Sequence, residues 1–151
     1  MRKLNGLGLL VILLAATSLM SQTSTWDQDY EAALKQANKE GKYLLLNFSG
    51  SDWCVWCKRL DGEVFSQDAF KDWADDNLVL LLVDSPRAKK QDPAVVQQNR
   101  ALMRKYAVRG FPTVLLLNPK GELAAQTGYQ YGGAEKYVEH LQELIAKDKK
   151  S

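Results

Sequence analysis

Both cysteines of this chain lie in one short segment, Trp53-Cys54-Val55-Trp56-Cys57-Lys58. Two thiols separated by two residues can close into a disulfide within one helical turn and reopen without rearranging a fold. Cys54 and Cys57 are therefore a candidate redox couple. Context decides whether so short a motif has meaning. The run before it, Tyr43-Leu44-Leu45-Leu46-Asn47-Phe48, reads as a buried strand, and Lys58-Arg59-Leu60 can continue a helix. A strand, a short loop and then C-x-x-C opening a helix is the arrangement that gives the spacing a mechanism.

The thiolate is the nucleophile, and a free cysteine with a pKa of about 8.5 is mostly thiol at neutral pH. A helix N-terminus presents unpaired N–H groups and about half a positive charge, which favours an anion there. Cys54 is expected at that end as the exposed, activated attacker. Cys57, one turn inside, is expected to be the more buried, resolving thiol. Attack by Cys54 on a substrate disulfide would give a mixed disulfide that Cys57 then breaks. Lys58 reads as a solvated helix residue. Two rival readings stay open. An inert disulfide would close too short a loop to stabilise much. A zinc site needs four ligands, and beyond the two cysteines the chain offers one histidine, His140, so only an intermolecular or carboxylate-assisted site fits.

The ends bound where the pair works. Met1-Arg2-Lys3, an apolar stretch from Leu4 to Ala16 and then small residues form the pattern of a secretory signal. Ala16-Thr17-Ser18 places the expected cleavage after Ser18, leaving one domain over residues 19–151. The apolar run is shorter than the ~20 residues of a spanning helix. An uncleaved anchor is the other reading. Disulfides persist in exported compartments. A secreted chain with a single C-x-x-C is not a disulfide scaffold and suits a machine acting on other proteins' cysteines. The whole chain has 20 basic and 18 acidic residues, and losing Arg2 and Lys3 leaves the two signs equal. No basic field remains for nucleic acid.

Along the mature chain, Ser24 or Thr25 is expected to cap a helix through Trp26, Tyr30, Ala33, Leu34 and Ala37, stopped at Gly41. Ser66 signals a second helix through Phe70 and Trp73, closed by Asn77. Leu78 to Val83 is a continuous apolar run, as in a strand covered on both faces. Asp92-Pro93 opens a helix with Val95, Val96, Leu102, Met103 and Tyr106 as its apolar positions. Thr113 to Leu117, the turn Asn118-Pro119-Lys120-Gly121 and a return strand from Glu122 to Thr127 form a hairpin. Gly132-Gly133 reads as the loop into a last helix from Ala134 to about Lys147. The first two strands should be parallel with a right-handed crossover. The fold class is α/β: a central mixed sheet of about four strands with helices on both faces.

With these motifs in order, the chain resembles thioredoxin-fold proteins. The resemblance rests on Trp53 to Lys58, on Gly110-Phe111-Pro112-Thr113 and on the element order between them, and covers roughly Tyr43 to Leu144. More narrowly, Cys54-Val55-x-Cys57-Lys58 followed by Glu63-Val64-Phe65-Ser66 is similar to the periplasmic thioredoxin domain of transmembrane thiol:disulfide interchange proteins. The run Gly50-Ser51-Asp52-Trp53-Cys54-x-Trp56-Cys57 also looks like small exported thioredoxin-like proteins. The resemblance implies a cis bond before Pro112, with the adjacent backbone pairing with a substrate strand. It also implies that Trp53 packs beside the disulfide, while Phe111 shapes the docking groove or is plain core. Val55 and Trp56, in place of the family's Gly-Pro, would tune potential and partner fit.

Two departures bear on proton handling. The family's buried aspartate before the motif aligns with Asn47, and its lysine on the next strand aligns with Leu80. Proton transfer at Cys57 would then fall to water, Glu63 or the partner. Ser85 to Gln98 is longer than in a minimal thioredoxin and carries Arg87, Lys89 and Lys90, either as a docking insertion or as a solvated loop with a helix extension. The expectation is an exported, monomeric thiol:disulfide oxidoreductase acting on protein thiols and disulfides. It needs no cofactor or metal. As a reductase it would draw electrons from a donor such as a membrane reductase. A disulfide oxidase or isomerase, and a polypeptide-binding module using the groove near Pro112, are the competing functions.

Overall fold

A computed structural model describes residues 25–151. The expected signal segment and its cleavage site lie outside the described residues. The elements are α1 (Tyr30–Glu40), β1 (Tyr43–Ser49), α2 (Val55–Leu60), a π-helical turn (Asp61–Phe65), α3 (Asp68–Asn77), β2 (Leu78–Asp84), α4 (Pro93–Lys105), β3 (Thr113–Leu117), β4 (Leu123–Thr127) and α5 (Gly133–Asp148).

The four strands form one mixed sheet in the order β2-β1-β3-β4. β1 runs parallel to β2 and antiparallel to β3, and β4 is antiparallel to β3. The continuous apolar runs of β1, β2 and β3 are buried because both faces of the sheet are covered. On one face Leu45, Leu80, Val114 and Leu116 meet Leu60, Val64, Phe70, Tyr137 and Leu141 from α2, the π turn, α3 and α5. On the other, Leu44, Leu46, Phe48, Leu81 and Leu115 meet Ala33 and Ala37 of α1 and Leu102 of α4. Small residues on α1 let that helix lie close to the sheet. β4 lies at one edge, and Leu123 is exposed there.

Three local expectations change. The first helix starts at Tyr30, not near Ser24, and Asp29 caps it by accepting the Ala32 N–H at 3.0 Å. Trp26 lies before the helix because the edge of β2 offers better partners. Asp27 N–H donates to Leu80 O, and Leu82 N–H donates to Asp27 O. The indole of Trp26 packs on Phe65 at 5.0 Å. The signal at Ser66 is also displaced. Ser66 closes the π turn, and α3 begins at Asp68 after an extended Gln67. The π turn fits one extra residue into the helix that starts at the cysteines. It places Val64 and Phe65 together in the core, and such turns are frequent at functional sites. Finally, the return strand begins at Leu123, with a register shift at Leu116/Leu117.

Candidate active site

The end of β1 leads into a turn at Gly50, whose carbonyl accepts the N–H of both Trp53 and Cys54. That turn aims Cys54 at the start of α2. Cys54 is the N-cap, extended at φ −86° and ψ 109°, and its Sγ accepts the Cys57 N–H at 3.2 Å. The Lys58 N–H donates to Cys54 O at 3.1 Å, so the capping residue also starts the helical ladder. Cys54 and Cys57 are joined as a disulfide. Exposure does not rank them as expected: Cys54 is 6% and Cys57 5% exposed. The two differ in hydrogen bonding, since Cys54 Sγ receives the Cys57 N–H. Between them Val55 and Trp56 stand out, 68% and 45% exposed.

Trp53 forms a wall of the site. Its Nε1–H donates to Ser85 O at 2.9 Å, its ring lies 5.8 Å from Phe111, and the Arg87 guanidinium sits 4.0 Å over it. Phe111 is half-buried and packs against the core face that carries α1 and α4. The Phe111–Pro112 peptide bond is cis. Thr113 Oγ1–H donates to Gly110 O at 2.7 Å, and the following strand pairs Thr113 with Phe48 and Val114 with Asn47. This pairing brings Pro112 to the same end of the sheet as the cysteine loop.

Several residues that the sequence did not single out organise the rim. The Asp52 carboxylate accepts the backbone N–H groups of Arg87, Ala88 and Lys89 at 2.7–3.2 Å. The basic segment after β2 is therefore clamped beside Trp53 rather than free in solvent. The N–H of Arg87, then that of Ala88, holds the Asp52 carboxyl below the usual aspartate range. A lowered carboxyl pKa means that the clamp is complete above the ordinary aspartate pKa of about 3.9 and is lost as pH falls through the lower folded value. We expect Asp52→Ala to speed amide hydrogen exchange at Arg87, Ala88 and Lys89 several-fold at neutral pH. Acidifying the wild type well below pH ~4 should lower the protection factors of the same amides, taken against the intrinsic rate at each pH. Residue-resolved exchange measures both.

On the opposite flank Tyr129 and Tyr131 join Trp56 in an aromatic cluster, with centroids 5.2 to 6.5 Å apart. Arg59 lies 5.1 Å from the Trp56 ring and pairs with Glu63 at 2.9 Å. Glu63 also accepts the Tyr129 hydroxyl. That hydroxyl, then Arg59, holds the Glu63 carboxyl low. Lys58 is exposed and donates to Asp52 O. Tyr129 and Tyr131 left no signal in the sequence, because a loop after β4 brings them to a helix far away in the chain. Asp52 was legible only as a loop residue. No cluster of three or more metal-ligating side chains occurs among the described residues.

The model of the thioredoxin-like domain family matches residues 30–145. The chain belongs to the thioredoxin-like family. It is 30% identical over 118 residues to the disulfide bond reductase DsbH of Chlamydia pneumoniae, covering 78% of this chain and 71% of that one. It is also 30% identical over 115 residues to the thiol:disulfide interchange protein DsbD of Yersinia enterocolitica, but that match spans only 18% of DsbD. The solved structure of a DsbH oxidoreductase superposes with a TM-score of 0.78 at 27% identity, over 94% of this chain and 95% of the other. This thioredoxin-like chain is accordingly an enzyme of the thiol–disulfide oxidoreductase class, and the pair that identifies the class stands at Cys54 and Cys57.

Proposed function

We propose that this thioredoxin-like protein is an exported reductase of protein disulfides, with Cys54 as nucleophile and Cys57 as resolving thiol. The observation that carries the assignment of roles is the hydrogen bond from the Cys57 N–H to Cys54 Sγ at the first turn of α2. A backbone donor at a helix start stabilises a sulfur anion. Cys54 thiolate attacks one sulfur of the substrate disulfide, and the other leaves as a thiol after taking a proton. Cys57 then gives up its proton and attacks Cys54 Sγ, releasing the second substrate thiol. Two electrons pass to the substrate, and the enzyme is left as the Cys54–Cys57 disulfide. A dithiol donor, such as a membrane reductase, returns it to the reduced form.

Trp53, Val55, Trp56, Phe111 and Pro112 supply the docking surface in this reading. The exposed Val55 and Trp56 meet the partner first. An extended substrate segment lies along the backbone at Pro112. The reductase direction is supported by likeness to a protein named as a disulfide bond reductase over most of both chains. Export is supported by the signal pattern at residues 1–18, with 19–151 as the working domain. No helix among the described residues is long and apolar enough to cross a membrane.

The deciding experiment is the reduction potential of the mature protein in glutathione buffers, read by the fluorescence of Trp53 and Trp56 beside the couple. The expected value lies near −270 mV, as for thioredoxin. A value near −120 mV would make the protein an oxidant instead. If no Cys54–Cys57 disulfide forms at any poise, a polypeptide-binding module replaces the redox reading.

A further inference from the structure

The segment between β2 and α4 carries Arg87, Lys89 and Lys90, three cations within four residues, all exposed. A charge run of this kind is ordinarily a solvated loop. Two observations set this one apart. Its backbone is fixed, because the Asp52 carboxylate holds the N–H groups of Arg87, Ala88 and Lys89. Its first cation is also aimed at the site. The Arg87 guanidinium lies over the ring of Trp53, the residue immediately before Cys54, and the same ring packs beside Phe111, one residue before Pro112.

Stacking uses the face of a guanidinium and leaves the N–H donors in its plane free to fork onto a carboxylate. Neither those donors nor the ammonium groups of Lys89 and Lys90 have a hydrogen-bond or ion-pair partner among the described residues. The nearby carboxylates are turned to the chain itself. Asp52 accepts the three amides, Asp84 accepts the N–H and Oγ–H of Ser51, and Asp92 accepts the Ala94 N–H as the cap of α4. The opposite flank of the disulfide is different. There Arg59 is paired with Glu63, and the surface is formed by the rings of Trp56, Tyr129 and Tyr131. The site thus has one flank of aromatic rings and one of cations with open donors.

We propose that the Arg87 rim selects protein disulfides that carry an aspartate or glutamate close to the attacked cysteine. The substrate segment lies extended along the backbone at Pro112, and its carboxylate forks onto Arg87 beside Trp53. An arginine already stacked in place loses little freedom on binding, which favours this contact. Lys89 and Lys90 add attraction on approach. A lysine or arginine at the same place in a substrate meets like charge and is disfavoured. Asp52, Asp84 and Asp92 offset the three cations in sum, so recognition works by direct contact and not by a broad basic field.

The inference rests on the redox reading above and names its substrate class. Three disulfide-linked peptides, differing only in having Glu, Gln or Lys next to the cysteine, are mixed with the protein reduced in advance. Exchange rates are read from Trp53 and Trp56 fluorescence. We expect the Glu peptide to react about five-fold faster than the Gln peptide, and the Lys peptide more slowly. The Glu-to-Gln ratio, taken within each protein, cancels any general loss of activity. It should fall to near one in the triple variant Arg87→Gln, Lys89→Gln, Lys90→Gln. The clamp survives there, because Asp52 holds backbone amides. Lys120→Gln, in the exposed turn after the far end of β3, should keep the wild-type ratio. Equal Glu and Gln rates with the wild type, an undiminished ratio in the triple variant, or a ratio that Lys120→Gln lowers as much, overturns the proposal. A wild type that exchanges with none of the peptides overturns the redox reading instead. The rim is then decided by titrating the oxidised protein with the same peptides carrying serine for cysteine, following the Arg87 Nε–H by NMR. A Glu peptide that binds no more tightly than the Gln peptide overturns the proposal there as well.

Discussion

Cys54→Ser should reduce disulfide exchange to background, a loss of about 10³-fold or more. Removing the nucleophile in a serine protease costs about 10⁶ in kcat, and a serine hydroxyl is far less ionised than a thiol. Cys57→Ser should behave differently. Cys54 keeps the N–H bond from residue 57, which is a backbone interaction and survives the side-chain change. The first attack proceeds, and the mixed disulfide then accumulates because no second thiol resolves it. Turnover is lost in both variants, but only Cys57→Ser traps substrate covalently. Mass spectrometry of the two variants after exposure to an oxidised protein substrate reads the difference. Trapping by Cys54→Ser instead would reverse the two roles. The near-equal burial of the two cysteines makes this a real test, because exposure does not assign them.

Gly50→Ala should be the most damaging single methyl that can be added near the site. A Cβ there would lie 2.4 Å from Trp53 Cε2 and 2.6 Å from Nε1. The indole has little freedom to move aside, held by Ser85 O, by Arg87 over its face and by Phe111 at its side. Forcing extra volume into such packing costs about 1–3 kcal/mol. For a domain of this size each kcal/mol lowers Tm by roughly 3–6 °C. The displaced indole loses its bond to Ser85, and the turn whose carbonyl receives the Trp53 and Cys54 N–H groups is strained. Activity should therefore fall along with stability. Gly62→Ala is the internal control, since a Cβ at Gly62 meets nothing within 4 Å and alanine favours helix. Thermal unfolding of the two variants should show a clear loss for Gly50→Ala and no loss for Gly62→Ala.

Much of the molecule was legible before any coordinates. The runs at Tyr43, Leu78 and Thr113 became β1, β2 and β3, since a strand buried on both faces needs no alternation to be recognised. Asp92-Pro93 marked the start of α4, and Gly41 its role as the stop of α1, because a proline at the first turn and a left-handed glycine act through local backbone geometry. The first helix was misplaced for the opposite reason. Locally, Ser24 to Trp26 suits a helix start, but the open edge of β2 binds Asp27 on both sides. A ladder partner more than 50 residues away leaves no trace in local spacing. The π turn was missed in the same way, because it answers to how Val64 and Phe65 must meet α5.

The sequence by itself pointed to the chemistry: two thiols at helical spacing, opening a helix after a buried strand, make a candidate redox couple. It also determined the mixed sheet, because apolar runs, turns and crossover lengths are properties of contiguous residues. The tertiary structure decided what surrounds the pair. It clamped the Arg87 segment to Asp52, gathered Tyr129 and Tyr131 beside Trp56, and tied Glu63 to Tyr129. Each of these joins residues distant in the chain through side-chain reach and burial, which emerge only when the sheet brings its two ends and its helices together.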